Sequence, residues 1–141
     1  VKLVSRLVVS SRPISWINTA FPFAIAYFLG TEKIDIALIV GALFFLIPYN
    51  LLMYGVNDVF DYESDLTNPR KGGLEGALLE PKYHAATLWL SSGLAAPFVI
   101  YLLIVGNLLS GAILLVVIFA VVAYSAKHLR FKEIPVLDSL T

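Results

Sequence analysis

The chain has 141 residues, 59% apolar and 14% charged, with ten basic and ten acidic side chains and no net charge. Soluble domains carry about 25% charged residues and lay them along the outer stripes of their helices, so a water-facing helical core is excluded. Zero net charge with basic residues at the edges of apolar runs excludes nucleic-acid binding, and the absence of cysteine excludes disulfides and thiolate metal sites.

Residues 13–31, 36–57 and 85–126 contain no Asp, Glu, Lys or Arg. The last run is 42 residues long, about 63 Å as helix, roughly twice the hydrocarbon core of a bilayer. It must break, and Gly106-Asn107 is the natural place. The pattern predicts an all-α, polytopic transmembrane bundle with four spans at about 13–31, 36–56, 85–105 and 108–126. The first apolar run is too long, and too lightly flanked by small residues, for a cleaved signal peptide. With Val1 at its start, the chain reads as part of a longer protein. Asn18 and Asn50, polar within spans, suit interhelical hydrogen bonding. Trp16, Tyr27, Trp89 and Tyr101 suit interface anchoring or packing.

Topology follows from the basic residues. Lys2, Arg6 and Arg12 precede the first span; Arg70, Lys71 and Lys82 separate the second and third; Lys127, Arg130 and Lys132 follow the fourth. Only Lys33 lies on the other side. The positive-inside rule then predicts a multi-pass cell-membrane protein with both ends of this chain in the cytoplasm. The outer connections, around 31–35 and 106–107, are short. The inner one, about 57–84, is long enough to be functional. Helix is expected to continue to Leu66 or Thr67 and stop at Asn68-Pro69. Gly72, Gly73 and Gly76 then allow close backbone approach to a ligand.

At the head of that connection stand Asn57, Asp58, Asp61, Glu63 and Asp65. On a helix, Asn57, Asp61 and Asp65 fall at i, i+4 and i+8 on one face with Asp58 beside them, while Glu63 points away. A solvated helix end explains one or two acids, not this set, and the helix dipole at a C-terminus favours cations. Hard oxygen donors from one or two carboxylates, completed by substrate phosphate, are how Mg2+ is usually held. Asn57, Asp58, Asp61 and Asp65 are therefore the candidate metal ligands. Past the fourth span, Tyr124 and Lys127 fall at i and i+3, at the membrane level of the acids. A cationic donor set opposite a carboxylate–metal set suits a diphosphate leaving group. Arg70-Lys71 suits either a phosphate or anionic lipid headgroups. His84 and His128 are assigned no catalytic role.

The motif Asn57-Asp58-x-x-Asp61-x-x-x-Asp65 resembles the first aspartate-rich motif of the UbiA superfamily of intramembrane prenyltransferases. Arg12-Pro13 before the first span and Tyr124-x-x-Lys127 after the fourth match that family's order of elements. Residues 57–76 and 11–18 are most similar in wording to its carotenoid branch, the lycopene elongases. The resemblance implies a nine-helix fold of which residues 1–141 form the N-terminal part, with a second aspartate-rich motif outside this chain. It implies transfer of a prenyl group from an allylic diphosphate to a hydrophobic lipid acceptor such as lycopene. Asp61, Asp65 and Lys127 would be catalytic. Arg12, Lys71, Tyr124, Lys127 and Arg130 would bind the diphosphate, with Mg2+ on the aspartate motif. Met53, Tyr54 and Phe60 would line a dry cavity for the allylic cation. The alternatives are a quinone-type or other lipid acceptor, and a cation-binding membrane transporter. A transporter predicts acids deep within the spans rather than at their rim.

Overall fold

The computed structural model describes residues 2–69, 78–127 and 129–140. Arg70, Lys71, the three glycines that follow and His128 lie outside them. The described residues form eight helices and no strand: α1 (Lys2–Ser10), α2 (Trp16–Thr31), α3 (Ile36–Leu46), α4 (Pro48–Phe60), α5 (Tyr62–Asp65), α6 (His84–Val105), α7 (Leu108–Ser125) and α8 (Pro135–Leu140). Short 3-10 turns cover Pro13–Ser15, Pro81–Tyr83 and Phe131–Glu133.

Three helical stretches are long and apolar enough to cross a membrane: Ile36–Phe60, Pro81–Val105 and Leu108–Ser125, with mean hydropathy of 2.1 to 2.5. The first expected span, 13–31, is shorter than foreseen. Its α-helical part has 16 residues, about 24 Å against the ~30 Å of a hydrocarbon core. The residues before it are used in a turn, where Arg12 takes a left-handed backbone (φ 49°) and starts the 3-10 segment. Helix α1 was also not foreseen. Leu3, Val4, Leu7, Val8 and Val9, set against Lys2 and Arg6, give an amphipathic nine-residue helix, too short and too rich in β-branched residues to stand out in a sequence.

The second expected span is interrupted between α3 and α4. Ile47 departs from helical geometry (φ −118°, ψ −61°), because the proline ring of Pro48 disfavours helix in the residue before it. The carbonyls beside the break are not left bare. The Thr19 hydroxyl donates to the Phe45 carbonyl at 2.7 Å, and Asn50 Nδ2 donates to Phe45 and Leu46 at 2.8 and 3.1 Å. Asn50 Nδ2 also reaches Thr19 Oγ1 at 2.6 Å. Asn50 is fully buried and joins α2 to α4, which is the interhelical role its position implied. Side chains that repair a broken ladder in this way are what a bilayer demands. Asn18 behaves otherwise: it lies exposed on α2.

The core is small and aromatic. Phe44, Leu52, Val56 and Ala95 are buried together, which joins α3, α4 and α6, and Phe44 meets Phe45, Tyr49 and Phe98 with ring centroids 4.9 to 6.3 Å apart. Phe60 packs against this cluster. Helices α2 and α3 approach so closely at Gly41 that a Cβ there would collide with the Phe23 ring. Between α2 and α3, Asp35 caps α3 by accepting from the Leu38 N–H at 3.0 Å, and the Tyr27 hydroxyl donates to its carboxylate. Large apolar side chains such as Trp89 and Leu108 point outward, 80% and 92% exposed, as lipid-facing residues do.

Two outcomes test this packing. Gly41→Ala should destabilise the full-length protein in detergent by about 1–3 kcal/mol through overpacking, read as a lowered thermal midpoint. The Leu38 N–H bond holds the Asp35 carboxyl below its ordinary range, against partial desolvation and with help from Tyr27. A depressed carboxylate contributes stability above its unfolded value, lost as pH falls through the folded one. Asp35→Ala should therefore melt below the parent at pH 7, with the gap closing as pH drops below about 4.

Candidate active site

At the end of the bundle where α1, α4 and α7 meet, a cavity of about 430 Å³ is lined by Arg12, Tyr49, Met53, Tyr54, Asn57, Ala120, Val121 and Tyr124. Three residues foreseen on separate grounds, Arg12, Asn57 and Tyr124, thus share one space. Of the expected apolar lining, Met53 and Tyr54 are present; Phe60 is in the core instead.

Helix α4 delivers the acids. Its hydrogen-bonded path runs through Asp61, whose N–H donates to the Asn57 carbonyl at 2.9 Å, and on to Asp65, whose N–H donates to Asp61 at 2.8 Å. Asp61 (φ −97°, ψ 3°) sits at a one-residue interruption between α4 and α5, so the expected i, i+4, i+8 sequence persists with a step in it. Asn57 Oδ1 accepts from the Ser125 hydroxyl of α7 at 3.0 Å. Asp58 is buried, accepts from the Ser10 hydroxyl of α1 at 2.7 Å and lies 3.8 Å from the Arg12 guanidinium. Arg12 itself stacks over the Tyr54 ring at 4.0 Å. The Asp61 carboxylate is paired with the Lys132 ammonium. Asp65 is buried, and Glu63 is exposed as foreseen.

The cationic side departs from the helical reading. Helix α7 ends at Ser125 and Ala126 is extended (ψ 133°), so Lys127 leaves the helix face it was expected to share with Tyr124 and stands exposed. Arg130 has a left-handed backbone and pairs with Glu133 at 2.5 Å. Lys71 lies outside the described residues. Three participants were not foreseen: Ser10, Ser125 and Lys132. The first two carry no pattern that separates them from other serines near a helix end. Lys132 had been read only as part of the basic flank.

Among the described residues, no group of three or more His, Asp or Glu side chains is arranged to hold a metal ion. That donor chemistry does not suit an all-protein cage. It suits the mode usual for Mg2+, one or two carboxylates with the rest supplied by a phosphate ligand. Asn57 lines the cavity, whereas Asp61, one helical turn on, lies outside its lining and is paired with Lys132.

An apolar helical bundle with a cavity lined by Arg12, Asn57 and the rings of Tyr49, Tyr54 and Tyr124 defines a helical membrane protein with a polar-lined pocket. The chain belongs to the UbiA prenyltransferase family, which matches residues 19–141. It is 60% identical over 139 residues to a C(50) β-cyclic carotenoids biosynthesis protein of Dietzia sp., covering 99% of this chain and 32% of that protein. It is 54% identical to a lycopene elongase/hydratase of Corynebacterium glutamicum, covering 96% of this chain and 47% of the relative. A lycopene elongase/hydratase of Halobacterium salinarum is 36% identical over 96% of this chain and 49% of its own length. The chain thus spans half or less of the length of these relatives. No solved structure matches it at a significant level. Family membership leaves the cation-transporter alternative without support.

The Lys132–Asp61 pair offers a check on the geometry. Both side chains are mostly buried, so losing either partner leaves an uncompensated charge. Lys132→Met and Asp61→Asn should each destabilise the full-length protein in metal-free buffer. The double variant should be less affected than the sum, with a coupling of about 0.5–3 kcal/mol read by unfolding.

Proposed function

We propose that this chain forms the diphosphate-binding part of a prenyltransferase that lengthens a linear carotenoid, lycopene in the first instance, using an allylic diphosphate such as dimethylallyl diphosphate. The observation that carries the reading is the single cavity shared by Arg12, Asn57 and Tyr124 beside the aspartate-bearing end of α4. The names of its relatives, lycopene elongase/hydratase, support the acceptor. The site is assigned to the cytoplasmic face by the distribution of nine of the ten basic residues. The second aspartate-rich motif is assigned to the length that the relatives have in excess of this chain.

In this reading Asn57 and Asp61, with Asp65 supporting, would hold Mg2+. When bound, the ion neutralises charge on the diphosphate. Arg12, Tyr124 and Lys127 bind the diphosphate oxygens; Arg130, and Lys71 outside the described residues, are assigned the same role from the sequence. As the allylic C–O bond breaks, its electron pair leaves with the diphosphate, and fixed donors aimed at that developing charge lower the barrier. Met53, Tyr49 and Tyr54 wall the cavity and exclude water from the allylic cation. The acceptor's double bond then supplies the electron pair of the new C–C bond. Loss of a proton, or addition of water, completes the reaction.

The test is pigment analysis by mass in a lycopene-producing bacterial host that expresses the full-length protein. Carotenoids one and two five-carbon units longer than lycopene are expected. Asp61→Asn should give unchanged lycopene while still inserting in the membrane. Unaltered lycopene with the parent protein in the membrane would overturn the carotenoid acceptor, and undiminished conversion by Asp61→Asn would overturn the metal assignment. Lys127→Ala should raise the apparent donor KM about tenfold or more, the scale of a lost charge-assisted hydrogen bond, with the acceptor KM little changed.

A further inference from the structure

Asp58 is the most deeply buried acid of the motif, its side chain having no solvent exposure. A carboxylate in that position must be matched by nearby donors and charge. Asn57 and Asp58 are neighbours on α4, so their side chains diverge by about 100°. Asn57 turns to the cavity and Ser125 of α7. Asp58 turns to α1, where it accepts the Ser10 hydroxyl and faces Arg12.

Arg12 is held from three sides. Its backbone is left-handed, a conformation that non-glycine residues keep only where their surroundings enforce it. Its guanidinium lies on the Tyr54 ring, and Asp58 provides the counter-charge at 3.8 Å. That separation is longer than a direct hydrogen bond, so the pair locates the guanidinium without consuming its donors. Arg12 Nε is buried without a hydrogen-bond partner, and the side chain lines the cavity with Asn57 and Tyr124. A planar fork fixed in place with donors unspent is what two-point recognition of a phosphate requires.

We infer that Asp58 is a positioning residue for the diphosphate rather than a ligand of the metal: with Ser10 it anchors α1 to α4 and presents Arg12 to the cavity. The inference rests on the prenyl-diphosphate reading and divides the acids of one motif between two tasks. Asp61 serves the cation, and Asp58 serves the arginine.

The experiment uses the full-length protein in detergent and follows two binding curves by intrinsic fluorescence. One is inorganic diphosphate at saturating Mg2+; the other is Mg2+ at saturating diphosphate. Asp58→Asn should weaken diphosphate about tenfold and leave the Mg2+ half-saturation within about twofold, whereas Asp61→Asn should move the Mg2+ curve. Ser10→Ala, which keeps both charges, should weaken diphosphate in the same direction by a smaller factor and guards against misfolding of the Asp58 variant. Arg12→Gln combined with Asp58→Asn should bind diphosphate no worse than Arg12→Gln alone, since the two act as one unit. A raised Mg2+ requirement in Asp58→Asn with unchanged diphosphate affinity would overturn the positioning role. So would additive losses in the double variant. If the unsubstituted protein binds no diphosphate at all, the prenyl-diphosphate reading itself fails and this inference falls with it.

Discussion

Inside hydrocarbon a polar group has no water to turn to, so each must find a partner within the protein or retreat to the rim. Most of this structure follows from that constraint. The proline break between α3 and α4 is tolerable because Thr19 and Asn50 reach the exposed carbonyls. The ionisable groups withdraw to the helix ends, where the acids of α4 meet Arg12, Lys132 and the end of α7. The concentration of chemistry at one rim is thus a result of the solvent as much as of the reaction. What the solvent does not explain is the specific arrangement there: an amide, a phenol and a guanidinium around one cavity.

That arrangement separates charges that would otherwise cancel or repel. Asp58 is paired with Ser10 and Arg12 on one side of α4, and Asp61 with Lys132 on another. Each carboxylate therefore has its own counter-charge before any ligand arrives. Under the proposed function, a diphosphate entering the cavity would meet a cation already located by its own acid, and only part of the ordering would remain to be done on binding. Under the same proposal, the aromatic rings of Tyr49 and Tyr54 would face the apolar part of that ligand.

The membrane character was legible because charge-free runs of that length have one physical meaning, and the aspartate motif was legible because acids repel unless something holds them. Local breaks were less so. Pro22 and Pro97 sit inside continuous helices while Pro48 follows a break whose carbonyls Thr19 and Asn50 take up, and no local pattern separates the three. Helical spacing placed Asn57 and Tyr124 well because both lie within helices. It misplaced Lys127, since α7 ends two residues before it. Ser10, Ser125 and Lys132 stayed hidden for another reason. Their roles depend on contacts across 48, 68 and 71 residues of chain, and no local pattern encodes such distances.

The central claim is that this rim binds the diphosphate of an allylic donor between the α4 motif and Arg12. It is tested most directly by a structure of the full-length protein with dimethylallyl S-thiolodiphosphate and Mn2+. The account predicts the diphosphate in the cavity between Asn57–Asp61 and Arg12–Tyr124, with the ion on the α4 side and Asp58 still bonded to Ser10. A diphosphate bound elsewhere, with this cavity filled by lipid or acceptor alone, would contradict it.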